Sequence, residues 1–305
     1  MTGGTSVIER TPKLSVGLAV RNGRDCVERC MDSILTQDFT DFELVVCDNV
    51  SDDGTIEILK RYAQEDRRIE LSLNDVNIGS HENMKLVLMR SRGELFRWIS
   101  ADDWLEPACL STCVAALDAN PEAIGVTTGF TLHASDGTVR YEDFPGEFPD
   151  SDDPSIRFAR MLWFFHAGDA KYDPVYGVYR RESLLRCRPL RPSERTDWLL
   201  SAELALGGPI LHLPERLAHR TQDHKRGIDR GAFRRRLDAK RGEQIRTTAR
   251  RLYRQMQALA ICADLTEEQM RRCQRALERF LVKETIRTNH LVLSDLKHWW
   301  RSRFG

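Results

Sequence analysis

Acidic side chains that follow two apolar stretches are the residues of this sequence best suited to chemistry. Asp48 comes directly after FELVVC, and the adjacent Asp102 and Asp103 come directly after LFRWISA. Neighbouring carboxylates at the end of a buried strand repel one another, and a divalent cation compensates that repulsion. Oxygen ligands favour Mg²⁺ or Mn²⁺, which also bind phosphate oxygens. The pattern predicts a metal-assisted phosphate site, and solvated turn aspartates remain the alternative.

These carboxylates can act together only if strands bring them to one edge of a sheet. Short apolar runs predict strands, and segments of helical periodicity between them predict connecting helices. The predicted strands are Leu14–Val20, Phe42–Asp48, Ile69–Leu73, Glu94–Ile99, Ile124–Thr131 and Asp173–Tyr179. This alternation predicts an α/β fold with a mostly parallel sheet, helices on both faces and ligands at the carboxyl ends of the strands. The segment 133–154, rich in Asp, Gly and Pro, is predicted to be a loop.

Four motifs, taken in order, resemble those of a known family. They are CDNVSDDGT from residue 47, NIG from residue 77, RGELFRWISADDW from residue 92 and TDWLLSAELALGGPILHLPERL from residue 196. Together they resemble family 2 glycosyltransferases with the A-type, Rossmann-like nucleotide-sugar fold, over Pro12 to Arg226. The resemblance implies inverting transfer of a sugar from a UDP-, GDP- or dTDP-linked donor to an acceptor hydroxyl, with Mn²⁺ or Mg²⁺. A glycan or lipid-linked acceptor and bacterial polysaccharide or surface-glycan synthesis are implied at the level of the family.

The resemblance also implies roles for residues that bind the donor. Asp48 matches a carboxylate that contacts the base or ribose. Ala19, Arg21 and Asn22 match the first nucleotide-binding loop.

A second group of matches concerns the metal. Asp102 and Asp103 match the end of the DxD-type motif, with Asp103 the expected direct metal ligand and Asp102 beside it at the donor. His224 matches a position near the metal and diphosphate. One departure is Ser100, where the family often has Asp, so that the motif offers one carboxylate fewer.

Asp197 matches the family's catalytic base. The neighbouring Thr196 stands where the family often has Glu, which leaves Asp197 as the only acid at that spot. Acceptor attack requires a base within hydrogen-bond reach of the hydroxyl, and a carboxylate can supply it. Asp197 also opens a predicted helix, so the sequence alone leaves a simple N-cap as the alternative.

The two ends of the chain differ in charge. From Lys225 to Arg303 there are 21 Lys or Arg against 9 Asp or Glu, although the whole chain is formally neutral. We therefore predict a glycosyltransferase domain over 1–226 and a basic helical region over 227–305. The segment Asn289–Phe304 combines leucines, paired tryptophans and basic residues, which is typical of an interfacial membrane helix and equally of a packed helix.

Other features bear on location and on rival functions. The first residues lack the apolar stretch of a secretory signal, and the eight cysteines lack metal-ligand spacing. Both observations favour a cytoplasmic protein, either free or peripheral on the membrane's inner face. No nucleic-acid-binding motif is recognisable, so no nucleic-acid partner is expected. A sugar nucleotidyltransferase, or a nucleotide-sugar-binding protein without turnover, remains the alternative.

Overall fold

A computed structural model describes residues 11–134, 136–142, 146–167, 174–188, 195–222 and 249–304 of the 305-residue chain. Within these ranges nine strands form one sheet. The strands are β1 Leu14–Val20, β2 Phe42–Asp48, β3 Ile69–Leu73, β4 Leu95–Ile99, β5 Trp104–Leu105, β6 Gly125–Ala134, β7 Val139–Glu142, β8 Val178–Arg180 and β9 Ile210–Gln222.

Helices connect and cover these strands. They are α1 Val27–Leu35, α2 Thr55–Glu65, α3 Ser80–Arg90, α4 Cys109–Ala119, α5 Pro154–Phe164, α6 Arg181–Arg186, α7 Thr196–Gly207, α8 Ala249–Cys262 and α9 Glu267–Phe304. A 3₁₀ turn, Pro174–Tyr176, leads into β8. None of the described helices combines the length and apolar composition needed to cross a membrane.

The order of the strands creates the edge at which the site lies. The sheet runs β3-β2-β1-β4-β8-β6-β9-β5, with β7 paired to β6. The strands β3, β2, β1 and β4 are parallel, while β8 is antiparallel to both β4 and β6. Because β2 and β4 flank β1 on opposite sides, the order reverses at β1, and ligands of parallel sheets bind at such a switch point. The predicted α/β class is confirmed.

The central strands are buried on both sides because helices cover both faces. One hydrophobic cluster joins the sheet to α1 and α4, through residues such as Val27, Met31 and Leu110. The other joins it to α3, α5, α7, α8 and α9. Parallel strands covered in this way read as continuous apolar runs, which is why β1 and β2 were predictable.

The segment predicted as a loop, 133–154, contains more structure than expected. The strand β6 extends to Ala134, and β7 pairs back on it, with Phe130 opposite Glu142. The β7 residues Val139 and Tyr141 are exposed, and a hairpin without a buried face gives only a weak apolar alternation. The strand predicted at Asp173–Tyr179 is instead the 3₁₀ turn followed by the short β8.

The C-terminal helices share the core of the sheet domain. Leu252 and Met256 of α8 and Cys273, Leu277 and Phe280 of α9 belong to the cluster that contains α5 and α7. The ring of Phe280 lies edge-on to Trp198 of α7, with centroids 6.1 Å apart. A buried pair, His166 Nε2 and Glu284 Oε2 at 3.0 Å, also joins α9 to the end of α5.

The first prediction tests whether α9 is integral to this core. Replacing Phe280, which is 2% exposed, with alanine should lower the free energy of unfolding by about 3–5 kcal/mol. Ile286→Ala on the same helix is the control, because Ile286 is 65% exposed and its truncation should change stability by about 0.5 kcal/mol or less. Urea unfolding measures both. Equal effects of the two substitutions would show that α9 does not pack on the domain.

Candidate active site

The pair Asp102–Asp103 lies in a tight turn at the carboxyl end of β4. The backbone N–H of Asp103 donates to the carbonyl of Ser100 at 3.1 Å, which closes the turn. The Ser100 hydroxyl donates to a carboxylate oxygen of Asp102. Ser100 therefore orients Asp102 by a hydrogen bond, where a third carboxylate would have added repulsion.

The end of β9 holds this turn in place. The Thr221 hydroxyl donates to the carbonyl of Asp102 at 2.8 Å, and the Thr221 N–H donates to Asp103 Oδ1 at 3.3 Å. Arg220 Nε lies 3.6 Å from Asp103 Oδ2. From α1, Arg29 also donates to the carbonyl of Asp102, at 3.3 Å. Four groups from two distant segments thus fix the turn.

The two aspartates have different environments. Asp103 is 7% exposed and faces a small cavity that Arg97 and Arg220 also line. Burial raises the pKa of Asp103 to about 6, and the positive charge of Arg220 opposes this rise. Asp102 is half-buried and lies nearer to solvent. Asp102 is thus the carboxylate that this geometry leaves more open to solvent, and Asp103 as the direct metal ligand stays a prediction.

The loops after β1 and β2 are joined to one another beside this turn. Asn22 Nδ2 donates to Asp52 Oδ1 at 2.8 Å, and the Asp52 N–H donates back to Asn22 Oδ1 at 3.0 Å. The N–H of Gly23 donates to the Thr55 hydroxyl at 2.9 Å. The strands β1 and β2 run parallel to β4 in the same sheet, so the loops that follow them lie at the same edge as the turn.

Among the expected nucleotide-binding residues, Asp48 has a different immediate role from the others. It is fully buried, and its oxygens accept from the backbone N–H of Ser51 at 2.9 Å and from the Ser51 hydroxyl. Asp48 therefore shapes the loop in this geometry, and its contact with a nucleotide stays a prediction. Arg21 is exposed, with Nε 3.4 Å from the Val50 carbonyl, and Ala19 is half-buried at the end of β1.

A network of asparagines beside Asp48 was not anticipated. The Asn49 side chain donates to Asn77 Oδ1 at 2.8 Å and accepts from the N–H of Ile78 at 2.9 Å. Asn83 Nδ2 donates to the carbonyl of Cys47 at 2.8 Å. The network anchors the NIG segment and α3 to the end of β2. The frequent asparagines between residues 49 and 83 are the feature of the sequence that could have indicated this network.

Asp197 lies exposed in the first turn of α7. The N-cap position is Arg195, which provides no side-chain cap, so Asp197 is the second helical residue and not the cap. The adjacent Trp198 stacks on Phe165, with ring centroids 4.6 Å apart, and Arg195 covers its ring at 4.2 Å. The helix α7 contacts the 3₁₀ turn before β8, and that turn contacts β4.

The remaining expected metal ligand, His224, lies outside the described residues. Within the described ranges, no group of three or more His, Cys, Asp and Glu side chains is arranged to hold a metal ion. Mg²⁺ commonly binds through one or two carboxylates together with substrate phosphates and waters. The half-buried Asp102, oriented by Ser100, fits an ion held jointly with a diphosphate.

A stack of rings beside the turn was also missed. Arg29 lies 3.7 Å above the Trp104 ring, and Trp104 stacks on His219 at 4.8 Å. His219 bonds to Glu106 at 2.6 Å on one side and to His133 at 3.0 Å on the other. The ring of Trp104 is therefore engaged in packing within the protein. The histidines are scattered in sequence and gave no signal.

The comparisons with known sequences identify the family. The model of the family "Glycosyl transferase family 2" matches residues 15–191. The chain therefore belongs to glycosyl transferase family 2. An uncharacterised protein of Mycobacterium tuberculosis, Rv1520, is 31% identical over 217 residues, which cover 70% of this chain and 59% of that protein. Chondroitin synthase of Escherichia coli is 32% identical over 111 residues, which cover 36% of this chain and 16% of that protein.

Solved structures share the fold. TarS of S. aureus, residues 1–349 in complex with UDP, superposes with a TM-score of 0.62 at 18% identity, over 88% of this chain and 70% of that chain. The mannosyltransferase PcManGT of Pyrobaculum calidifontis, in complex with GDP-Man and Mn²⁺, gives a TM-score of 0.56 at 19% identity. The superposition covers 90% of this chain and 70% of that chain. The A-type glycosyltransferase fold expected from the motifs is confirmed.

The second prediction concerns strain in the loop after β2. Val50 has φ 62°, a left-handed conformation that costs an L-residue roughly 1–2 kcal/mol, and β-branching makes it rarer still. Val50→Gly should therefore raise the free energy of unfolding by about 0.5–1 kcal/mol, since the relief of strain exceeds the entropic cost of glycine.

Val76→Gly is the matched control. Val76 is 58% exposed and does not have a positive φ, so this substitution should lower stability by about 0.5–1 kcal/mol. Urea unfolding midpoints compare the two variants. Destabilisation by both would show that Val50 is unstrained.

Proposed function

We propose that the protein transfers a sugar from a nucleotide-diphosphate donor to an acceptor hydroxyl, with inversion at the anomeric carbon. The observation that carries this proposal is the fixed Asp102–Asp103 turn at the carboxyl end of β4, beside the joined loops that follow β1 and β2. The turn offers a carboxylate for a phosphate-bound cation, and the loops offer backbone and polar groups for a nucleotide. Family membership supports the same reaction.

The donor nucleotide would bind along the loops after β1 and β2. Ala19, Arg21 and Asn22 would border it, and Asp48 would act by ordering the loop that carries Asn49. UDP and GDP-Man are bound by TarS and PcManGT, which share the fold. For this chain, the nucleotide of the donor is proposed only as UDP, GDP or dTDP.

Asp102 would hold Mg²⁺ or Mn²⁺ together with the diphosphate, and His224 would approach the same ion from the segment after β9. The cation supplies charge stabilisation for the departing nucleoside diphosphate. Asp103 would stabilise the turn through its ion pair with Arg220 and the hydrogen bond that it accepts from the Thr221 N–H.

Asp197 would take the proton of the attacking hydroxyl. Its exposure leaves it open to an acceptor, and the N-terminus of α7 stabilises its ionised form. A single direct attack on the anomeric carbon inverts it.

The biological setting follows from the relatives. Bacterial polysaccharide or cell-surface glycan synthesis fits the similarity to chondroitin synthase of E. coli. The acceptor would be a glycan or a lipid-linked sugar. We propose a cytoplasmic location, with the basic segment 289–304 touching the inner face of the membrane. Division into a 1–226 catalytic domain and a 227–305 basic region likewise remains a proposal.

The third prediction tests the metal. Calorimetric binding of the preferred nucleoside diphosphate should require Mn²⁺ or Mg²⁺ and should fall at least about tenfold in EDTA, since the cation shares the diphosphate charge. Asp102→Asn should remove this metal dependence at little cost in stability.

Asp103→Asn is the matched comparison. It should lower the free energy of unfolding by about 1–3 kcal/mol, because the charge of Arg220 would lose its partner, although the amide oxygen of Asn can still accept from the Thr221 N–H. Undiminished affinity in EDTA would contradict the proposed role of the cation.

The fourth prediction tests the base. Asp197→Asn should lower sugar transfer by at least about 100-fold, the usual contribution of a positioned general base. Stability should fall by only about 0.3–1 kcal/mol, from the lost interaction with the helix dipole. Donor affinity should be unchanged.

Glu203→Gln is the control, because it neutralises another carboxylate of α7 beyond the first turn. Its turnover should stay within a few-fold of that of the unmodified protein. Near-normal turnover of Asp197→Asn would show that a different residue is the catalytic base.

A further inference from the structure

A buried arginine in the central strand β4 has no role in the mechanism proposed above. Arg97 is only 3% exposed, and its Nε has no hydrogen-bond partner within the part of the chain that the structure describes. Its neighbours Phe96 and Trp98 fill the hydrophobic cluster on the opposite face of the sheet. An unsatisfied charged group in the interior is costly, so this position calls for a partner with a complementary charge.

The space in front of Arg97 is small, and its walls combine charged and polar side chains with apolar ones. A cavity of about 30 Å³ lies between β4, β6 and β9, lined among others by Arg97, Asp103, Thr127, Tyr176 and Arg220. This volume accommodates one or two groups the size of a water molecule. It cannot hold a sugar ring or a diphosphate, but it can hold one small group that projects from a larger molecule outside.

The charges around the cavity leave a positive excess. Asp103 pairs with Arg220 at 3.6 Å, and the effect of Arg220 on the pKa of Asp103 exceeds that of Arg97. One carboxylate thus faces two guanidinium groups. His219 also lines the cavity, and its Nε2 is bonded to Glu106 at 2.6 Å. The anion that would balance Arg97 is missing from the described side chains around it.

We propose that this cavity receives the carboxylate of an acidic sugar, so that Arg97 makes the enzyme specific for a uronate-type substrate. This inference rests on the proposed function, because the cavity adjoins the Asp102–Asp103 turn. A carboxylate has the size of the cavity and matches the forked donor geometry of a guanidinium. The ring that carries it would stay at the mouth, where the side chain of Arg220 is 22% exposed.

Calorimetric titration of matched ligand pairs tests the proposal. UDP-glucuronate is compared with UDP-glucose, and GDP-mannuronate with GDP-mannose, all with Mn²⁺. Cellobiuronate is compared with cellobiose in the presence of UDP, which separates an acidic acceptor from an acidic donor. The acidic member of at least one pair should bind about 10–100-fold more tightly, the range for a charge-assisted hydrogen bond.

Arg97→Met removes the charge and keeps much of the volume, so it should reduce this preference to less than about threefold. Binding of the neutral partner should be unchanged. Arg90→Met is the control, because Arg90 is exposed and pairs with Glu70 on the surface, and its preference should match that of the unmodified protein. If Arg97→Met does not fold, Arg97→Gln, which also removes the charge, replaces it, with the same expectation.

The outcomes separate this inference from the proposed function. Equal binding of acidic and neutral partners by the unmodified protein would overturn the inference alone and would leave water as the content of the cavity. A preference that survives the substitution of Arg97 would also overturn it. If no UDP-, GDP- or dTDP-linked sugar binds at all, both this inference and the proposed function are wrong.

Discussion

The burial of one carboxylate, Asp103, is the constraint on which the site depends. A carboxylate that is 7% exposed at the end of a central strand requires compensating charge and hydrogen bonds. Arg220 and Thr221 provide them from β9, and this brings the last residues of a 13-residue strand against the Asp102–Asp103 turn. Asp102 is left nearer to solvent.

Much of the fold could be predicted because its first half has short-range signals. The bounds of β1, β2 and β3 agree with those of the predicted strands, since each is a short run bounded by polar turns. The contacts that build the site were not predictable. Thr221 lies 118 residues from Asp103, and no local pattern indicates that they meet. The two-residue β5 and the exposed β7 are too short or too polar to show a period.

The different burial of Asp102 and Asp103 is a second feature that the sequence does not reveal. The resemblance to the family implies Asp103 as the direct metal ligand, with Asp102 beside it. Burial separates two neighbours that sequence alone treats alike: Asp103 faces the cavity with Arg97 and Arg220, whereas Asp102 is oriented by Ser100 at the surface. The core also extends past the family match at residue 191, since α7, α8 and α9 pack in one cluster with α5.

Hydrogen–deuterium exchange on the full chain can show whether the loops after β1 and β2 and the Asp102–Asp103 turn form one nucleotide-binding site. The chain would be exposed to UDP, GDP or dTDP, each with Mn²⁺ and each compared with Mn²⁺ alone. At least one nucleotide should slow exchange in the loops 21–24 and 49–55 and in the turn 100–104 together, because these segments meet at one edge of the sheet. Protection confined to α8 and α9, or absent with all three nucleotides, would contradict this prediction.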